Sequence, residues 1–84
     1  MNYEKKTIID VRTHQEFTGG NVAGSINIPL QELEQRLEEI KNLPHPIVLC
    51  CASGVRSSHA ALVLNREGVD CENGGSWMSV NNNY

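Results

Sequence analysis

The sequence lacks a long hydrophobic run. No stretch reaches the roughly 18 consecutive apolar residues that a membrane-spanning helix requires. The first residues, from Met1 to Lys6, also lack the apolar segment that forms the centre of a signal peptide. Together these absences predict a protein that has no membrane partner and stays in the cytoplasm.

The sequence also lacks an excess of positive charge. Seven Lys and Arg residues are outnumbered by ten Asp and Glu residues, which gives a formal net charge of -3 at pH 7. A general nucleic-acid-binding protein needs a basic face that attracts the phosphate backbone. We therefore expect no nucleic-acid partner.

Cysteine is scarce, and its spacing does not suit structural cross-links. The chain contains three cysteines, Cys50, Cys51 and Cys71, and two of them are adjacent. An odd count with an adjacent pair makes a poor disulfide framework, and the sequence has no Cys-x-x-Cys pair of the kind that binds zinc. Thiol chemistry in a reducing compartment is the functional interpretation that remains.

The length and the order of the sequence patterns predict one α/β domain. A chain of 84 residues supports a single domain, here 1–84, with a polar tail from about residue 79 onward that is expected to fray. Short apolar runs alternate with helical patterns, which is typical of a small parallel sheet flanked by helices on both faces. The predicted elements are a strand at 7–11, a short helix from His14 capped by Thr13 and ended by Gly19 and Gly20, an extended segment at 25–28, an amphipathic helix carrying Leu30, Leu33, Leu37 and Ile40, a strand at 47–50, a helix at 56–67, a strand at 69–72 and a turn at 73–75.

The loop that follows Cys50 carries the clearest chemical signal. In parallel sheets ligands bind beyond the carboxyl ends of the strands, and this loop lies at such an end. Gly54 permits positive φ, and the small residues around it let several backbone N–H groups converge at the start of the next helix, where anions bind. Arg56 adds a permanent positive charge. A cysteine beside these groups is expected to have a pKa below its free value of roughly 8.5.

Several short motifs follow one another along most of the chain: Asp10-Val-Arg, Glu16-Phe, Gly20-Asn-Val-x-Gly-Ser-x-Asn-Ile-Pro29, the loop Cys51-x-Ser-Gly-x-Arg56-Ser, then Gly68-Val and Asn73-Gly-Gly-x-Trp77. Their order, from about Ile8 to Trp77, resembles that of the rhodanese family. Two positions depart from the family pattern: Asn21 stands where His is usual, and Ser25 stands where Ala is usual. The closing segment is also short, so the last helix is expected to be curtailed.

The resemblance implies a rhodanese-type sulfurtransferase that needs no cofactor. Its mechanism implies that the Cys51 thiolate attacks the outer sulfur of a small anionic donor such as thiosulfate, so that sulfite leaves and Cys51 carries a persulfide. The implied acceptor is cyanide or a thiol, such as that of a thioredoxin-like protein. The residues that the resemblance assigns to binding the donor and the persulfide are Ala52, Ser53, Gly54, Val55 and Arg56.

Two alternatives remain open. Counted from Cys50, the pattern Cys-x5-Arg also fits the loop of cysteine phosphatases and some arsenate reductases, which enclose a tetrahedral oxyanion. Cys50 continues a buried strand, and Gly54 stands three residues after Cys51 as in the rhodanese loop, so the sequence favours Cys51. The second alternative is a rhodanese-like binding module without activity, which the presence of both Cys51 and Arg56 disfavours.

Three further residues receive structural interpretations. Arg12 and Glu16 have the spacing of an ion pair across one helical turn. Cys71 lies in a predicted strand, so its packing in the core is favoured over a role as a second reactive thiol.

Overall fold

The computed structural model describes residues 6–83. Residues 1–5, which make up most of the segment that does not resemble a signal peptide, and Tyr84, at the end of the expected polar tail, lie outside the described residues. Within the described range, no helix has the length and apolar character needed to cross a membrane.

Four parallel strands form one sheet in the order β2-β1-β3-β4. β3 pairs with β1 on one side and with β4 on the other, and all five of its residues are buried. The predicted α/β class with a parallel sheet is therefore confirmed. The strands are β1 (Thr7–Asp10), β2 (Ile26–Asn27), β3 (Ile47–Cys51) and β4 (Cys71–Ser76), and the helices are α1 (His14–Thr18), a 3₁₀ turn (Leu30–Glu32), α2 (Leu37–Lys41), α3 (Val55–Arg66) and α4 (Trp77–Asn83).

The sheet separates two hydrophobic clusters. On one face, the larger cluster contains Ile47, Leu49 and Cys51 of β3 together with Ala60 and Leu64 of α3. On the other face, Cys50 lies in a smaller cluster with Val48 and with Val80 of α4. Because successive side chains of a strand point to opposite faces, the two adjacent cysteines belong to different sides of the sheet.

The short helix α1 begins as the sequence predicts. The Thr13 hydroxyl accepts from the Glu16 N–H at 3.1 Å, and Glu16 Oε1 accepts from the Thr13 N–H at 2.9 Å. This reciprocal capping box satisfies two N–H groups that a helix start leaves without partners. Gly19 is the C-terminal cap, so the predicted end of the helix is also confirmed.

The predicted amphipathic helix is interrupted. The segment begins as a 3₁₀ turn, and the backbone leaves helical geometry at Arg36 (φ -109°, ψ 22°) before α2 begins. In a 3₁₀ turn side chains three residues apart lie on the same side, so Leu30 and Leu33 both reach the core, while Ile40 of α2 is fully buried. The predicted apolar stripe is confirmed, but the prediction of one continuous helix is wrong. The tighter 3₁₀ turn already brings Leu30 and Leu33 to the core, so their burial does not require a continuous α-helix.

Two predictions near the end of the chain were wrong. β4 continues through residues 73–75, where a turn was predicted. At Gly74 a Cβ atom would lie 2.6 Å from the Val80 side chain and 2.8 Å from that of Val48, so this glycine allows α4 to pack closely against the sheet. The predicted polar tail is helical as far as Asn83, whose side-chain amide donates to the Ser79 carbonyl oxygen at 2.9 Å.

Candidate active site

Cys51 lies at the carboxyl end of β3, where the chain turns into α3. It is the last residue of the strand, whereas the sequence placed it first in the loop. Residues 52–54 connect the strand to α3, which begins at Val55, one residue before its predicted start. Gly54 is the residue before the helix and has φ 102°, a left-handed conformation that favours glycine. The short loop therefore sets the N-terminus of α3 directly against Cys51.

Hydrogen-bond donors surround the sulfur of Cys51. Its Sγ accepts from the Gly54 N–H at 3.0 Å and from the Ser57 N–H at 3.4 Å, and it lies 3.4 Å from Ser57 Oγ. The first N–H groups of a helix have no partner within the helix, so the Ser57 N–H is available to the sulfur. Cys51 is only 1% exposed, which keeps most water away from these contacts.

These contacts lower the pKa of the Cys51 thiol below its ordinary value. Burial alone raises the pKa, but the Ser57 hydroxyl, when its proton points at the sulfur, and the N–H groups of Ser57, Gly54 and Ser53 outweigh that effect by stabilising the thiolate. The direction is the one expected from the sequence. A cysteine with a lowered pKa supplies more of the nucleophilic thiolate at neutral pH.

The neighbouring cysteine has the opposite environment. Cys50 is fully buried on the other face of the sheet. Burial, with a smaller contribution from the negative charge of Asp10, raises the pKa of its thiol to about 12. Cys50 is therefore a neutral core residue at physiological pH, and this disfavours a reactive loop that starts at Cys50.

Arg56 is already engaged by a carboxylate. Its NH1 lies 2.8 Å from Glu16 Oε1 and its NH2 lies 3.0 Å from Glu16 Oε2. This ion pair, together with the Thr13 N–H that donates to Glu16, lowers the pKa of Glu16 to about 2. The cation of the loop is therefore shared with α1 rather than directed at the sulfur alone.

Arg12 does not pair with Glu16, so that prediction was wrong. Its guanidinium binds Asp10, with Nε 3.0 Å from Oδ1 and NH2 2.8 Å from Oδ2, and both residues are buried. The same guanidinium donates to the Gly20 carbonyl oxygen at 2.7 Å and lies 4.9 Å from the centre of the Trp77 ring. This cluster joins the end of β1 to the start of α4, where Trp77 packs against the smaller hydrophobic cluster on the Cys50 face of the sheet.

Asn73 of β4 reaches the loop from the neighbouring strand. Its Oδ1 accepts from the Ser57 hydroxyl at 2.6 Å and from the Gly75 N–H at 2.9 Å, and its Nδ2 donates to the Gly54 carbonyl oxygen at 3.1 Å. The pairing of β3 with β4 shifts register after Leu49, and this bulge brings Gly75 opposite Cys50. Asn73 thereby connects β4, the loop and α3.

Both the sequence and the fold resemble those of a known protein family. The family model of the rhodanese-like domain matches residues 1–79. The chain belongs to the rhodanese-like domain family. A rhodanese from E. coli whose structure contains anions shares the fold with a TM-score of 0.81 and 28% identity, covering 89% of this chain and 91% of that chain.

Two curated relatives of this rhodanese-like domain come from Bacillus subtilis (strain 168). The uncharacterized protein YqhL is 46% identical over 66 residues, which are 79% of this chain and 52% of that protein. The putative sulfur carrier protein YrkF is 37% identical over 65 residues, which are 77% of this chain and 35% of that protein. The chain thus spans about half of the first relative and about a third of the second.

The rhodanese-like loop brings only some of the predicted binding residues to the sulfur. Ser53 and Gly54 present N–H groups to Cys51, whereas the side chains of Ala52 and Val55 face solvent. Arg56 lies beside the loop with its charge paired. Within residues 6–83, no group of three or more His, Cys, Asp or Glu side chains is arranged to hold a metal ion.

Three residues of the site were absent from the predicted set. Ser57 had a signal, because it follows Arg56 in the loop motif and lies in the first turn of the helix. Asn73 had none, because the sequence predicts a turn at 73–75 and the contacts of Asn73 depend on β4 extending through these residues. The sequence spacing pairs Glu16 with Arg12, whereas in the structure Glu16 binds Arg56.

Proposed function

We propose that this rhodanese-like domain is a sulfurtransferase in which Cys51 carries sulfur as a persulfide. The observation that carries the proposal is the position of Cys51 Sγ, which lies at the carboxyl end of β3, 3.0 Å from the Gly54 nitrogen and 3.4 Å from the Ser57 nitrogen. Donors fixed in this way stabilise negative charge on sulfur without reorganising during the reaction. The likeness to a putative sulfur carrier and to a rhodanese supports the same chemistry.

The transfer has two balanced half-reactions. The Cys51 thiolate attacks the outer sulfur of thiosulfate, the bond between the two sulfur atoms of the donor breaks, and sulfite leaves with the electron pair. The outer sulfur then carries the negative charge as the Cys51 persulfide. An acceptor thiolate attacks that outer sulfur, takes it as its own persulfide and regenerates the Cys51 thiolate; cyanide takes it as thiocyanate.

Thiosulfate is our choice of donor because the loop suits a compact anion. The N–H groups of Ser53, Gly54 and Ser57 donate to one sulfur, and such amide clusters bind anions. The positive charge of Arg56 lies near enough to interact with the charge on that sulfur. For the acceptor we propose a thiol, such as that of a thioredoxin-like protein in the cytoplasm. Arg56 is about one-third exposed, so a dissolved anion has access to its guanidinium.

The experiment compares two serine variants with wild type in three assays. Thiocyanate formation from thiosulfate and cyanide is measured beside hydrolysis of a phosphate ester and reduction of arsenate, for wild type, Cys51→Ser and Cys50→Ser. We expect sulfur transfer in wild type and Cys50→Ser, its loss in Cys51→Ser, and no turnover of phosphate ester or arsenate. Loss of transfer in Cys50→Ser alone, or turnover of either oxyanion that needs Cys50, would instead support a phosphatase or reductase.

A further inference from the structure

The amide of Asn73 has a fixed orientation. The Gly75 N–H can only donate a hydrogen bond, so the atom that faces it at 2.9 Å must be the amide oxygen. The Gly54 carbonyl can only accept, so the atom that faces it at 3.1 Å must be the amide nitrogen. Both neighbours are backbone groups, and they leave the amide one arrangement.

This orientation decides where the hydroxyl proton of Ser57 points. Ser57 Oγ lies 2.6 Å from Asn73 Oδ1, and an amide oxygen carries no hydrogen, so Ser57 must be the donor. A serine hydroxyl has a single proton. Ser57 is fully buried, so the wall of the site, not bulk water, supplies the partners of this hydroxyl.

The committed proton has opposite consequences for the two charge states of Cys51. A neutral thiol fits, because its S–H donates to the lone pairs of Ser57 Oγ at 3.4 Å. A thiolate has no proton to donate and needs the Ser57 proton for itself. The hydroxyl must then rotate away from Asn73, or its lone pairs face the negative sulfur.

We propose that Asn73 is a positioning residue that acts through Ser57, competing with Cys51 for the Ser57 hydroxyl proton and so limiting how readily the Cys51 thiolate forms. This rests on the proposed role of Cys51 as the nucleophile. The charged groups near the loop are Arg56 of α3, the Glu16 carboxylate of α1 that pairs with it, and Asp10 at the end of β1, which is paired with Arg12. Replacing Asn73 removes none of these charges.

Two substitutions of Asn73 are expected to shift Cys51 in opposite directions. In Asn73→Ala the Ser57 hydroxyl is free to donate to the thiolate, so the pKa of Cys51 falls by about half to one unit, the equivalent of one neutral hydrogen bond. In Asn73→Asp a stronger acceptor holds the proton and adds negative charge, so the pKa rises. A role limited to holding the loop together would move both variants in the same direction.

The measurement is the pH dependence of Cys51 alkylation by iodoacetamide, with the modified cysteine located by peptide mass mapping. The same substitutions are made in a Ser57→Ala background. There the fall in the Cys51 pKa caused by Asn73→Ala should disappear, and the rise in that pKa caused by Asn73→Asp should become smaller. Thermal unfolding shows which variants are folded. If Asn73→Ala is unfolded, the proposal is tested by the size of the Asn73→Asp shift with and without the Ser57 hydroxyl.

Two results would overturn the proposal: an unchanged or raised alkylation midpoint in folded Asn73→Ala, or equal shifts with and without the Ser57 hydroxyl. Because alkylation requires no sulfur donor, a protein that accepts no sulfur would defeat the proposed function and leave this result intact.

Discussion

Glu16 and Arg56 form a two-point ion pair, with 2.8 Å between Oε1 and NH1 and 3.0 Å between Oε2 and NH2. The pair links α1 to the first turn of α3, 40 residues further along the chain. The Glu16 carboxylate therefore lies against the Arg56 guanidinium, which we propose binds the anionic sulfur donor. Because the two side chains are 38% and 35% exposed, water and dissolved anions compete for this pair.

The first prediction concerns this competition. Glu16→Gln keeps an oxygen for the Thr13 N–H but removes the carboxylate charge, so Arg56 attracts an anionic donor more strongly. We expect the KM for thiosulfate to fall by roughly two- to fivefold, the scale of one exposed ion pair. Steady-state kinetics of thiocyanate formation provide the measurement. Glu38→Gln in α2 removes the same charge from an exposed position and is the matched control; an equal fall in both variants would assign the effect to net charge alone.

The second prediction is the acid stability that the same carboxylate provides. The folded pKa of Glu16 is about 2, below its ordinary value of 4.5, because Arg56 and the Thr13 N–H stabilise the charged form. A carboxyl with a lowered pKa stabilises the fold above its unfolded pKa, and this contribution is lost as the pH falls toward the folded pKa. The difference in urea midpoint between wild type and Glu16→Gln should be largest near neutral pH and shrink from about pH 4.5 to pH 2. A difference that grows as the pH falls would contradict the pairing.

The third prediction concerns the contact between α4 and the sheet. Gly74→Ala places a methyl group within 3 Å of the side chains of Val80 and Val48, and overpacking of this kind costs about 1–3 kcal/mol. Gly19→Ala is the control, since a Cβ atom there would lie at an ordinary contact distance of 3.5 Å from the Glu16 carbonyl oxygen and the φ of Gly19 is -81°. Urea denaturation should show a large loss of stability for Gly74→Ala and a change within about 0.5 kcal/mol for Gly19→Ala. Equal effects would contradict the close approach of α4.

Contacts between neighbouring residues were the part of the site that the sequence could predict. Thr13 and Glu16 of the capping box are three positions apart, so their spacing is visible in the chain. The pair of Asp10 and Arg12 was equally visible, since residues two apart share one side of an extended chain. Helical spacing does not apply to Arg12, because Arg12 precedes α1.

Contacts that depend on packing could not be predicted. The pairing of Glu16 with Arg56 requires the placement of α1 against the loop, which neither segment specifies alone. Glycines usually mark turns, and only the position of Val80 shows that Gly74 serves close packing in a strand. The contacts of Asn73 follow from that same extension of β4 toward the loop.

The most direct test of sulfur transfer through Cys51 is the mass of the protein after incubation with thiosulfate and removal of excess donor. We predict that wild type gains the mass of one sulfur atom, that peptide mapping places it on Cys51, and that Cys50→Ala gains the same mass. Cys51→Ala should gain none. Sulfur bound to Cys50 or Cys71, or an undiminished gain of mass in Cys51→Ala, would contradict the assignment of Cys51 as the sulfur-carrying nucleophile.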